Sequence, residues 1–177
     1  MRPRRRISDV HAVEVPSFAS VAERHLDDVH SYLVYFTRDR ATAEDLTAET
    51  FEKALRQWRR FDPRRGSART WLCQLARTTA LDHFRSERRR RRREGVYALR
   101  EPLEAEDGIY GGLSPELERA LGRLSAGERE VIALRVLLDL DGETAARVLG
   151  ISATACSTRL SRALKKLEEE VARDVAA

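Results

Sequence analysis

Apolar residues recur at spacings of three and four along much of the chain, the period of an amphipathic helix. After Ser17, the positions Phe18, Val21, Ala22, His25, Val29, Tyr32, Leu33 and Phe36 form one stripe and predict a first helix. Arg38, Asp39 and Arg40 interrupt it as a polar turn. A second helix is predicted from Thr42 to Arg59, with Leu46, Ala48, Phe51, Ala54, Leu55 and Trp58 as its apolar positions and carboxylates in its positive first turn. Pro63 disfavours a helical Asp62 and Gly66 readily takes positive φ, so Phe61–Gly66 is a loop, and it carries Arg64 and Arg65. Ser67 can cap a third helix whose buried face is Trp71, Leu72, Leu75, Ala76, Leu81 and Phe84, and which runs on into Arg88–Arg93.

The pattern restarts at Ser114-Pro115-Glu116, an N-cap, a first-turn proline and a first-turn acid, followed by the stripe Leu117, Leu121 and Leu124. Ser125-Ala126-Gly127-Glu128 reads as a capping box opening a helix with the apolar face Val131, Ile132, Leu134, the Arg135 stem, Val136 and Leu138. Asp139–Gly142 is a turn. A short helix over 143–149, the turn Gly150-Ile151-Ser152 and a long helix from Ala153 to about Arg173 give the signature of a helix-turn-helix. The predicted fold is therefore all-α: two small helical domains, 17–93 and 114–177, joined by a flexible acidic linker over 94–113 and preceded by a mobile tail over 1–16.

Charge sharpens this division. Residues 1–100 hold 23 basic and 14 acidic side chains, net +9, whereas 101–177 hold 10 and 15, net −5. The first half thus suits a polyanion over much of its surface, the second only through a local patch, and nucleic acid is the leading partner. No stretch approaches the roughly 20 consecutive apolar residues of a membrane span and the N-terminus lacks a secretory centre, so a cytosolic protein is expected. Cys73 and Cys156 stand apart from any metal-ligand spacing; neither a disulfide framework nor a metal site is indicated, and no cofactor is expected.

Two constellations carry chemistry. In the second domain Ser152 caps a helix bearing Thr154, Ser157, Thr158, Arg159, Arg162, Lys165 and Lys166, where arginine forks suit phosphate or guanine and the short side chains permit close approach. In the first, Trp58, Phe61, Trp71 and Phe84 interleave with Arg59, Arg60, Arg64, Arg65, Arg69, Arg77 and Arg85, a pairing suited to unpaired bases and their backbone, although Trp58 and Phe84 also fit the core stripe. Catalysis finds little support. His11, His25, His30 and His83 are scattered, no phosphate loop or nucleophile elbow is present, and Asp45 with Glu49 reads as an acidic patch for a basic partner.

On three ordered stretches the chain resembles the extracytoplasmic-function group of bacterial RNA polymerase sigma factors. AEDLTAETFEKAL over 43–55 looks like region 2.2, residues 60–85 look like regions 2.3 and 2.4, and residues 124–168 resemble region four. The resemblance implies that Asp45, Leu46, Ala48 and Glu49 dock on the clamp helices of the polymerase's largest subunit, and that the second domain meets the beta flap. It implies that Arg60, Phe61, Arg64, Arg65, Ser67, Trp71, Arg77, Thr78 and Arg85 engage the minus-ten element, the loop taking a flipped non-template base. Ser152, Thr154, Ser157, Thr158, Arg159, Arg162 and Lys165 would read the minus-thirty-five element, and an anti-sigma protein is a further candidate partner. The chain departs from the family's usual residues at Ala48, Thr78, Gly142 and Ala153–Cys156.

Two other readings compete. A self-contained, dimeric helix-turn-helix regulator explains residues 114–173 equally well but leaves the first domain without a task. An RNA-binding adaptor uses the same arginines and leaves the helix-turn-helix without one.

Overall fold

The structure is a computed structural model that describes residues 16–93, 110 and 112–175. The tail expected over 1–16, save its last residue, and most of the expected linker lie outside the described residues. The elements are α1 (Phe18–Thr37), α2 (Arg40–Gln57), α3 (Ala68–Arg93), α4 (Pro115–Arg123), α5 (Ala126–Ile132), α6 (Gly142–Leu149) and α7 (Ala153–Val175), with no strand among the described residues. Short 3-10 turns at Trp58–Arg60 and Pro63–Arg65 join α2 to α3, and a π-helical turn, Ala133–Leu137, follows α5.

α1, α2 and α3 pack into one group. Arg38, in the left-handed region at φ 61, closes α1 through its N–H to Val34 O, and Asp39 opens α2 by accepting from Thr42 N at 2.8 Å. Two residues therefore reverse the chain, and the stripes of both helices face one core of Val29, Tyr32, Leu33, Leu46, Ala54, Leu72, Cys73 and Ala76. Burying each large apolar side chain there contributes roughly 1.5–3 kcal/mol. Thr47 and Thr50 also lie inside, their hydroxyls donating to Ala43 O and Leu46 O one turn back, which leaves no unmet polar group. Ala48 and Leu55, expected on the apolar face of α2, instead stand outside it, Leu55 at 58% exposure.

In the second group α4, α5 and α6 pack on α7 around Val131, Leu134, Leu138, Ala145, Leu149, Cys156 and Ala163. The capping box forms as read: Ser125 Oγ accepts from Glu128 N, and Glu128 Oε2 accepts from Ser125 N at 2.7 Å. Asp141 caps α6 by accepting from Thr144 N at 2.9 Å, and Gly150, at φ 67, ends that helix in the left-handed conformation that glycine adopts without strain. The π-helical turn corrects one expectation. Its wider winding shifts the register after Ile132, so Val136, expected inside, is 58% exposed, while Ala133 is buried.

The two groups are in contact: α5 and the π-helical turn lie on α1, and α6 lies on α3. Tyr110, at the end of the expected linker, packs on Tyr35 with ring centroids 4.5 Å apart.

Candidate nucleic-acid and partner interfaces

The acidic patch lies on the outer face of α2. Asp45, Ala48 and Glu49 are exposed together, because the buried stripe of Ala43, Leu46, Thr47, Thr50 and Ala54 takes the opposite face. Leu46 departs from expectation: at 1% exposure it is a core residue beneath the patch and cannot itself touch a docking protein. Glu49 Oε1 is bridged to Lys53 Nζ at 2.7 Å, an exposed i,i+4 pair that a partner's cation can replace at small cost.

Between α2 and α3 the aromatics form a cluster. Trp58 stacks on Phe61 (centroids 4.9 Å apart, planes 11°), Trp71 tilts against both, and Phe18 meets Trp58 edge-on. None of Phe61, Trp58 or Trp71 is fully buried, so the cluster is both a support for the loop and an open aromatic surface. Phe84, by contrast, serves the core through an edge-on contact with Phe36. Asp62 caps the Pro63–Arg65 turn by accepting from Arg64 N at 3.0 Å, and Ser67 Oγ accepts from Thr70 N to start α3. This leaves the Arg60, Arg64 and Arg65 guanidiniums exposed, without an ion pair among the described residues.

The other cations expected on α3 are engaged. Arg69 pairs with Asp28 at 2.7 Å and Arg85 with Asp82 at 3.0 Å. Arg77 donates to Glu130 of α5 at 2.8 Å. Thr78 is exposed and its hydroxyl donates back to Gln74 O. Buried Cys73 has its thiol pushed up to about 12 by burial, so it is a packing residue and no nucleophile at neutral pH. His25, expected as a satisfied core residue, meets Asp28 at 3.3 Å.

On α7, Ser152 Oγ accepts from Ala155 N at 3.1 Å, capping the helix. Cys156 and Ala163 turn inward, which places Thr154, Ser157, Thr158, Arg162 and Lys165 on the exposed side, with Arg159 half-buried at its margin. Lys165 makes only a long pair with Glu169, at 4.0 Å. Glu130 was not singled out by sequence. It is buried, its carboxyl raised above the usual range by burial, which outweighs the lowering effects of the Tyr32 hydrogen bond and the Arg77 charge. Among the described residues no group of three His, Cys, Asp or Glu side chains could hold a metal, and no helix is long and apolar enough to cross a membrane.

A capped, exposed recognition helix on one helical group and an arginine and aromatic loop on another describe a protein that meets DNA at two places, and known proteins agree. Residues 21–90 match the family described as Sigma-70 region 2, and residues 114–167 match Sigma-70, region 4. The chain is 36% identical over 138 residues to the probable RNA polymerase sigma-C factor of Mycobacterium bovis, covering 77% of this chain and 73% of that one. It is 33% identical over 165 residues to the ECF RNA polymerase sigma factor BldN of Streptomyces coelicolor, covering 91% of this chain but 62% of that one, so it spans less than two thirds of BldN's length. Among solved structures, the sigma factor RpoE of Bartonella quintana, in complex with the anti-sigma factor NepR, superposes with a TM-score of 0.74 at 25% identity, over 87% of this chain and 96% of that one. CnrH, in complex with the cytosolic domain of CnrY, gives 0.64 at 25% identity over 89% and 88%. The chain belongs to the extracytoplasmic-function group of RNA polymerase sigma factors. Such factors direct RNA polymerase to promoters.

Proposed function

We propose that this chain docks on core RNA polymerase through the exposed face of α2 around Asp45, Ala48 and Glu49, and that it engages promoter DNA at two separate elements. The loop Phe61–Ser67, with Arg60, Arg64 and Arg65 beside the Trp58, Phe61 and Trp71 rings, takes unpaired minus-ten bases, since every base presents a π-face and the guanidiniums track the backbone. The flank of α3 bearing Trp71, Arg77, Thr78 and Arg85 lies along the upstream edge of the opening. The exposed side of α7, from Ser152 to Lys165, enters the major groove of the minus-thirty-five element, with Arg159 and Arg162 as its principal cations. Opening is driven by binding free energy, so the chain acts in the cytoplasm as a binding protein and catalyses no reaction.

The observation that carries this reading is the ordered pair of family regions, each on its own helical group, with the loop arginines of one and the recognition helix of the other left exposed. A self-contained helix-turn-helix regulator leaves residues 21–90 without a role. Both solved relatives described above were captured with an anti-sigma protein, which supports a protein partner of that kind for this chain as well. Run-off transcription with purified core polymerase tests the main reading. Promoter-specific transcripts should require the chain, and duplex DNA binding by the chain alone at full strength, with no transcript, would favour the regulator.

A further inference from the structure

The two helical groups meet over the flank of α3. Arg77 Nε donates to Glu130 Oε1 at 2.8 Å, and the Tyr32 hydroxyl donates to the same oxygen at 2.7 Å. Glu130 belongs to α5, is 2% exposed, and takes both of these hydrogen bonds from the other group. Three residues before Arg77, Gln74 Nε2 donates to Arg147 O of α6 at 3.5 Å. At the margin Arg38 Nη1 donates to Gly122 O at 2.9 Å and Arg129 Nε to Tyr35 O at 3.1 Å.

A carboxylate out of water is tolerated only while its hydrogen bonds are met, and Glu130 obtains them across the boundary between the groups. Moving the groups apart strips it of both donors and simultaneously frees Arg77. Conversely, no duplex can lie along this flank of α3 while α5 and α6 cover it. A carboxylate and a phosphate oxygen make the same charge-assisted bond to a guanidinium. Glu130 therefore holds Arg77 as a DNA phosphate would.

We infer that the second helical group is an intramolecular partner for the DNA-facing flank of α3, with Glu130 standing in for a promoter phosphate at Arg77, so that the free chain is closed against promoter DNA until its groups are drawn apart. The inference rests on the sigma-factor reading for the identity of that flank. A polymerase surface that holds the two groups at separate places binds the open form alone, and its differential affinity moves the equilibrium.

The test compares the full chain with its Glu130→Gln and Tyr32→Phe variants, alone and bound to core polymerase. Glu130→Gln keeps the side-chain size and removes the charge, and Tyr32→Phe removes one donor and keeps the ring. Small-angle scattering of the free Glu130→Gln chain should give a larger radius of gyration, and its promoter affinity should rise by about tenfold, within the usual range of coupling between linked states. Tyr32→Phe should move both in the same direction by less. With polymerase bound, promoter affinity should change by less than about twofold in either variant, because the groups are already apart. If Glu130→Gln loses helical circular dichroism, Tyr32→Phe decides. Unchanged scattering and unchanged free-chain affinity in the folded variants would overturn the inference. Failure of the wild-type holoenzyme to select promoters removes the sigma reading instead, and the scattering still decides whether Glu130 holds the groups together.

Discussion

α3 and α7 are the two helices that face DNA, and they differ in what covers them. α7 presents Thr154, Ser157, Thr158 and Arg162 to solvent, and its inward face is fixed by Cys156 and Ala163 in its own helical group. α3 has its Arg77 flank under α5 and α6, while the loop just before it stays open. The recognition helix is thus complete inside its own group. The helix that borders the opening is not, because its surface is shared with the other half of the chain. Duplex recognition can persist in either arrangement, whereas engagement of the minus-ten edge requires a change of arrangement.

The strongest break of this contrast removes the body that holds the groups apart. Asp45→Arg with Glu49→Arg reverses two exposed charges on α2, which seldom costs much fold stability but strongly disfavours a complementary interface. Co-purification with core polymerase should be lost, and minus-ten opening with it, at unchanged thermal midpoint. Next, Arg64→Ala with Arg65→Ala should impair permanganate reactivity of unpaired thymines with little effect on holoenzyme binding to duplex promoter. Arg159→Ala with Arg162→Ala should weaken duplex binding first, by about 10- to 100-fold for the loss of one good base contact of about 1–3 kcal/mol. Failure of both variants at the same step would erase the distinction between the two helices.

Two acids two residues apart sharpen the comparison by titration. Burial alone would raise the Glu128 carboxyl, but the Ser125 N–H and hydroxyl and the Lys166 ammonium together lower it. A lowered folded value contributes stability that is present above the unfolded carboxylate range and lost as pH falls through the folded value. Glu130 runs the other way: its raised value means that the closed arrangement binds protons more tightly than the open one, so closure strengthens as pH falls and weakens as pH rises through the closed-state value. The groups facing it are Tyr32 from α1, Arg77 from α3 and the more distant Arg159 from α7. Scattering should show the free chain more compact at pH 5.5 than at pH 8, with the trend absent in Glu130→Gln. Smallest is Gly122→Ala. An added Cβ falls 2.9 Å from Arg38 Nη2 across the boundary, yet alanine suits helix α4 better than glycine by about 1 kcal/mol. Thermal stability should rise slightly while the radius of gyration increases by less than in Glu130→Gln, since the Arg38 tip can move aside.

Most helices were legible because each carries its stop and start in adjacent residues: Ser17, Ser67, Ser114, the Ser125–Glu128 box and Gly150 all act as read. The facing of side chains was less legible. The π-helical turn that ejects Val136 leaves no periodic signature, and Leu46 lies among exposed patch residues in the motif although its helical angle turns it inward. Glu130 was beyond reach for a different reason. Its donors Tyr32 and Arg77 are 98 and 53 residues away, in a segment whose own pattern is satisfied without it. Local spacing reports the group to which a residue belongs; it carries no record of a contact made between groups.

The aromatic cluster at the loop has an optical consequence. Trp58 and Trp71 are the chain's two tryptophans, and they stand 5.8 Å apart beside Phe61. All tryptophan emission from this protein therefore originates at one spot, the loop bordering α3, and the second helical group is dark. A base stacking on that cluster is read directly as quenching, without a label, whereas events at the recognition helix leave the signal unmoved. The protein carries its own reporter for one of its two DNA contacts and for that one alone.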